Sequence, residues 1–274
     1  MTEAQETNPI ASAGTPDTAP ARPRKPRLLL VTGPWSSGTS AVAGMLDALG
    51  VNGLGPYFNT NDVRTPVSFE SIAFRNTVLA LASENDLQIT ASRDQALAAL
   101  RALRQRVIDG EFGPYDAKNP APIFLKLPLS ALLLSMICQV FDAQLLYVLR
   151  PMKDIEATRV RRNWPEHFGA KGAQIIYAQM FKTLVNRRYP TQLLRYPELV
   201  SRPRQHARLL ARIAGIEATP EQLEKAASFV RRARPAAAPG AAAAPAAGNA
   251  GGKGAGGKSD NKAQGSSAKP GKKS

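Results

Sequence analysis

Gly33-Pro34-Trp35-Ser36-Ser37-Gly38-Thr39-Ser40 sets two glycines five residues apart among small hydroxyl residues, directly after the apolar run Leu28-Leu29-Leu30-Val31. Small residues let backbone N–H groups close around an anion, and a helix beginning after the turn presents its positive end to it. The spacing matches the phosphate loop G-x-x-x-x-G-K-[ST], except that Thr39 stands where a nucleotide triphosphatase has lysine. Ser36, Ser37, Gly38, Thr39 and Ser40 are therefore the candidate phosphate-binding residues. Two cations end apolar runs elsewhere: Lys126 after Ile123-Phe124-Leu125, and Arg150 after Gln144-Leu145-Leu146-Tyr147-Val148-Leu149. Glu70 and His167 are the candidate acid–base groups. Each has a plainer alternative. Glu70 serves equally as a first-turn carboxylate facing a helix dipole, and His167, in Trp164-Pro165-Glu166-His167-Phe168, as a structural or substrate-contacting ring.

The elements that position these residues alternate. Apolar runs of four to six residues at 28–31, 123–126, 144–149 and 192–196 read as strands. Helical spacing recurs over 39–49, from 68 or 71 onward, and over 93–108, 130–141, 151–162, 173–188, 203–214 and 220–230. Ser68 and Ser71 are both good N-caps for the second helix. Segments 51–66 and 109–122, rich in Gly and Pro, read as long loops. Strands separated by helices predict an α/β fold, a P-loop-like three-layer arrangement with a central parallel sheet and helices on both faces. In such a sheet, ligands lie beyond the carboxyl ends of the strands. That rule gathers the turn at 33–40, Lys126 and Arg150 into one polyanion crevice.

Composition limits the rest. Of the net charge of +15, residues 231–274 hold +8, residues 1–27 hold +1 and the middle holds +6. The expected organisation is a disordered segment over 1–26, one domain over 27–232, and a disordered basic Ala/Gly/Pro/Lys tail over 233–274. The tail suits either solubilisation or contact with acidic polymers or an anionic membrane surface; nothing in it suggests sequence-specific nucleic-acid binding. No run nears the ~20 apolar residues of a membrane span, and the start lacks the pattern of a secretory signal. The only cysteine, Cys138, sits in an apolar run, which reads as a core thiol and favours a cytoplasmic location.

Four segments, in order, resemble the sulfotransferases that use 3′-phosphoadenosine 5′-phosphosulfate, particularly the bacterial type. Ser37-Gly38-Thr39-Ser40-Ala41 is similar to that family's 5′-phosphosulfate loop. Arg150-Pro151-Met152-Lys153-Asp154 through Thr158 is similar to its 3′-phosphate motif, and Arg195-Tyr196-Pro197-Glu198-Leu199 to its Arg-Tyr-Glu-x-Leu segment. Arg64-Thr65-Pro66 to Phe69-Glu70 is similar to its Asn-Pro-x-Gly-x-x-Glu segment. The resemblance covers most of 28–215. It implies sulfuryl transfer to a hydroxyl or amine of a carbohydrate, lipid or small metabolite, with that nucleotide as co-substrate and no metal. It places Arg150 and Thr158 on the 3′-phosphate, residues 36–40 on the 5′-phosphate, and Glu70 or His167 as base. Family members carry Lys or Arg at the position of Ser36, so Lys126 becomes the nearest substitute cation. Two other readings remain: an inactive nucleotide-binding or scaffold protein on the same fold, and a P-loop kinase.

Overall fold

A computed structural model describes residues 25–60, 67–186 and 189–232. The expected end segments fall almost wholly outside these residues, as does Arg64-Thr65-Pro66. The chain opens with β1 (Arg27–Thr32), the turn 33–38 and α1 (Thr39–Ala48), which stops where Gly50 takes φ +89°. A short antiparallel pair, β2 (Tyr57–Asn59) and β3 (Val67–Ser71), leads into α2 (Ile72–Leu79). The hairpin β4 (Ala82–Ser83)/β5 (Gln88–Ile89) precedes α3 (Arg93–Ile108), which carries a full capping box between Ser92 and Gln95. Then come β6 (Ile123–Lys126), a 3₁₀ turn over Pro128–Leu133, α4 (Leu134–Val140), β7 (Asp142–Leu149) and α5 (Met152–Arg162). The described chain closes with α6 (Ala170–Val185), β8 (Thr191–Arg195), α7 (Tyr196–Ser201), α8 (Pro203–Ala214) and α9 (Pro220–Arg232).

Four strands form one parallel sheet in the order β6-β1-β7-β8. Alternation along each strand feeds two cores. Leu28, Leu30, Leu125, Leu145 and Tyr147 face a layer containing α3, α4 and α6. Leu29, Val31, Phe124, Leu146 and Val148 face α1, α8 and α9 on the other side. A strand buried on both faces cannot alternate apolar with polar, which is why these runs are continuously apolar. The fold is a three-layer α/β sandwich. Among the described residues, no helix is long and apolar enough to cross a membrane.

Two local expectations are corrected. The segment 51–66 is not wholly loop, since 57–59 pairs with β3. Residues 68–70 do not begin a helix; they are strand, and Ser71 is the N-cap of α2, its hydroxyl accepting from Phe74 N–H at 3.4 Å. Glu70 therefore lies outside the first turn, and its helix-dipole role falls away. Phe69, at φ +59°, breaks the strand's alternation, so that residues 68–71 are all buried in succession. Phe69 packs on Tyr57 and Phe229, with ring centroids 5.4 Å away in each case.

Candidate functional site

The turn after β1 is held tight from below. A Cβ on Gly33 would lie 2.5 Å from the Val148 carbonyl oxygen, and one on Gly38 would lie 2.1 Å from the Tyr196 ring. Gly38 also takes φ +103°, and Ser36 takes the left-handed φ of +62°. Ser37 N–H donates to the Pro34 carbonyl at 3.1 Å. The N-terminus of α1 has no side-chain cap and no acidic residue in its first turn, so nothing in its own first turn compensates its positive end. Three buried hydroxyl oxygens around the turn, on Thr32, Ser36 and Ser37, have no hydrogen-bond partner among the described residues. A buried hydroxyl without a partner is costly, and an anion seated in the turn relieves that cost. Thr39 is buried and Ser40 partly exposed at the helix start.

Arg150, one residue past β7, ties this turn to the sheet. Its Nη1 donates to the Ser36 carbonyl at 2.7 Å, and its guanidinium lies 5.0 Å from the centre of the Tyr196 ring. The Arg150 backbone is clamped by Tyr177, whose hydroxyl accepts from Arg150 N–H and donates to Arg150 C=O, both at 2.9 Å. Burial pushes the Tyr177 phenol above its ordinary range, so it stays a neutral donor and acceptor. Among the described residues, the guanidinium makes that one hydrogen bond, which leaves four of its five N–H donors for other partners. Thr158 sits on the next helix but is 3% exposed, and its hydroxyl donates to the Asp154 carbonyl at 2.8 Å. Its proton is engaged inside its own helix, not offered to the crevice.

On the other side of β1, Lys126 ends β6 in register with Val31, one strand away from the turn. Its ammonium donates to Glu70 Oε1 at 2.7 Å, with both residues buried. Arg75, on the first turns of α2, approaches the other Glu70 oxygen at 3.4 Å and Glu84 at 3.9 Å. Burial raises the Glu84 carboxyl above its usual range, more strongly than the Arg75 charge lowers it. Two residues predicted separately, Glu70 and Lys126, are thus one buried ion pair. His167 is placed differently. Its ring meets Phe168 at 4.2 Å and Trp35, from the turn after β1, edge-on at 6.4 Å, while Trp35 meets Phe168 at 4.8 Å. In α5, Arg159 bonds Glu156 and the Trp164 carbonyl, and Arg162 lies over the Trp164 ring. Cys138 is buried, and burial pushes its thiol up to about 12.

Sequence reasoning missed Tyr177, Arg75 and Glu84. Arg75 follows Glu70 by five residues, but only the strand-to-helix break at Ser71 turns it back toward that carboxylate. Tyr177 carries no signal in its neighbourhood beyond its place on an apolar helix face. Among the described residues, no group of three or more His, Cys, Asp or Glu side chains is placed to hold a metal ion.

No protein-family model and no curated protein matches the sequence. Among solved structures, the sulfotransferase domain of the olefin synthase of Synechococcus PCC 7002 is similar over 75% of this chain and 79% of that one, with a TM-score of 0.45 and 16% identity. Sulfotransferase STF1 from Mycobacterium tuberculosis H37Rv is similar over 77% of this chain and 76% of that one, with a TM-score of 0.40 and 14% identity.

Proposed function

We propose that the protein is a sulfotransferase, moving a sulfuryl group from 3′-phosphoadenosine 5′-phosphosulfate to a hydroxyl or amine acceptor. The observation that carries this reading is the buried Glu70–Lys126 pair at 2.7 Å, one strand from a phosphate turn that has no lysine. The turn fits the 5′-phosphate end: uncapped helix amides, unpartnered Ser36 and Ser37 hydroxyls, and glycines at both close approaches. The free donors of Arg150 suit the 3′-phosphate through a charge-assisted contact. Thr158 adds nothing in this arrangement, because its proton is engaged on Asp154.

Sulfuryl transfer, like phosphoryl transfer, proceeds through a loose transition state, so positioning and charge placement supply most of the catalysis. In the proposed step Glu70 takes the acceptor's proton as the acceptor oxygen or nitrogen bonds to sulfur. The bond from sulfur to the bridging oxygen breaks, and the electron pair leaves with adenosine 3′,5′-bisphosphate. Protonation neutralises Glu70, which frees the Lys126 charge as negative charge builds on the bridging oxygen. Proton uptake and leaving-group stabilisation are then coupled through one ion pair, and a cation at Ser36 becomes unnecessary. Arg75 keeps the Glu70 carboxyl oriented at 3.4 Å throughout.

The competing reading, a nucleotide-binding scaffold, is favoured by the same pair seen differently: Lys126 is neutralised and position 36 has no charge. Transfer of labelled sulfate to a panel of hydroxyl and amine acceptors decides between them. Turnover that is lost in Glu70→Gln supports the enzyme; tight bisphosphate binding without transfer to any acceptor supports the scaffold.

A further inference from the structure

α8 presents charge of one sign. Its apolar residues Ala207, Leu210, Ala211 and Ala214 are buried in the core, and no acidic residue occurs between Pro203 and Ala214. Arg204, Arg208 and Arg212 recur every fourth residue on the outer side, and all three are exposed. Gly215 ends the helix in the left-handed conformation, at φ +69°. A Cβ there would lie 3.4 and 3.7 Å from Nη1 and Nη2 of Arg27, which comes from the start of β1. At about 100° per residue, position 215 falls between 204 and 208 around the helix axis, so Arg27 continues the row at its C-terminal end. Four guanidinium groups thus follow one line about 17 Å long.

Most of this charge is not answered within the protein. Arg204 pairs with Glu224 of α9 at 2.8 Å, at side-chain exposures of 65% and 46%, and so open a pair is easily exchanged. The side chains of Arg27, Arg208 and Arg212 make no hydrogen bond or ion pair among the described residues. Arg27 faces the carbonyl end of α8, which favours a cation there; that accounts for one member of the row and not for the other three. The chemistry of the row indicates its partner. It offers no exposed apolar side chain to enter a bilayer, because Leu209 and Ile213 pack on the core. It offers no Phe, Tyr or Trp to stack on a base. All four cations are arginines, whose planar forks match phosphate oxygens in pairs, and a straight basic row suits a polymer with charges at regular intervals. Residues 231–274, at and beyond the end of α9, hold a further +8, and α9 packs along α8. We infer that α8 docks on the sugar–phosphate backbone of a nucleic-acid duplex, without reading its sequence, through Arg204, Arg208, Arg212 and Arg27. This contact does not depend on the sulfuryl-transfer reading.

Fluorescence anisotropy of the full chain with labelled DNA duplexes of about 20 base pairs, titrated with NaCl, tests this. Two duplexes of unrelated sequence are expected to bind with affinities within twofold of each other. Arg208→Gln/Arg212→Gln is expected to weaken duplex binding at least tenfold at about 50 mM salt. The same variant should lower the slope of log affinity against log salt by about two, since each phosphate contact contributes about 0.9. Arg101→Gln/Lys182→Gln removes equal charge from exposed positions on α3 and α6, on the other face of the sheet, and is expected to stay within twofold of wild type. Four results overturn the inference. The first is no duplex binding at that salt, and the second is equal loss in the two double variants, which would reduce the row to a solvated face. The third is a wild-type slope in Arg208→Gln/Arg212→Gln, which would leave the contacts to residues beyond α9. The last is row-dependent binding to vesicles of phosphatidylserine and phosphatidylcholine that is tighter than binding to duplex, which would make a membrane the partner.

Discussion

The two sides of β1 handle charge in opposite ways. Toward β7, the phosphate turn leaves donors open: an uncapped helix start, hydroxyls on Ser36 and Ser37 without partners, and an arginine with one bond to the Ser36 carbonyl. Toward β6, every charge is already answered: Lys126 by Glu70, Glu70 also by Arg75, and Arg75 also by Glu84. On the proposed reading, the open side is completed by an anion from outside. The closed side is complete without a ligand and changes only when a proton enters it. The proposed function puts binding and chemistry on different strands, and substitutions on the two sides should separate them.

The largest effect is expected from Lys126→Met. Turnover should fall by about 10²- to 10³-fold, the scale of removing one preorganised electrostatic group, while bisphosphate affinity changes little. Urea unfolding should also show a loss of about 3 kcal/mol, because Glu70 is left buried without its closest counter-charge. Adding Glu70→Gln should restore most of that stability and none of the turnover; a double variant with normal turnover would place the chemistry elsewhere. On the open side the pattern should invert. Arg150→Ala is expected to weaken bisphosphate binding at least tenfold with stability nearly unchanged, measured by calorimetry.

A smaller effect is expected at Tyr177→Phe, which removes both hydrogen bonds to the Arg150 backbone. The two bonds are worth about 2 kcal/mol together; with about 1 kcal/mol of that expressed as misplacement of Arg150, bisphosphate affinity should drop roughly fivefold. The smallest effect concerns pH. Burial raises Glu84 in the folded state, so the folded protein holds its proton to higher pH than the unfolded chain does. The protein therefore loses stability as pH rises from the ordinary glutamate value, about 4.3, through the raised folded value. Glu84→Gln should flatten that loss, so its unfolding midpoint should gain on wild type as pH rises above the ordinary glutamate value. An unchanged difference with pH would mean that the Arg75 contact, at 3.9 Å, offsets burial in full.

The sheet was legible because burial on both faces writes itself as uninterrupted apolar runs: 28–31, 123–126 and 144–149 all fall inside observed strands. The strand-end rule likewise placed the phosphate turn, Lys126 and Arg150 at one edge. The region from 51 to 90 was far less legible. Its strands are two to five residues long, too short for a period to show, and β3 breaks alternation at Phe69. That break is what turns Glu70 toward Lys126, so the pairing could not be read from a helical pattern that expected Glu70 in a first turn. Thr158 illustrates a different limit. The family resemblance singled it out, two turns after Arg150, but its hydroxyl bonds back to Asp154, a contact inside the helix that the motif does not show.

The division between an open anion site and a sealed ion pair is tested most directly by calorimetry of the wild-type protein with adenosine 3′,5′-bisphosphate and with ATP, each with and without Mg²⁺. The account requires the bisphosphate to bind more tightly than ATP and with the same affinity whether or not Mg²⁺ is present. Tighter binding of ATP that depends on Mg²⁺ would contradict it, since that result would make the turn at 33–40 the cradle of a triphosphate.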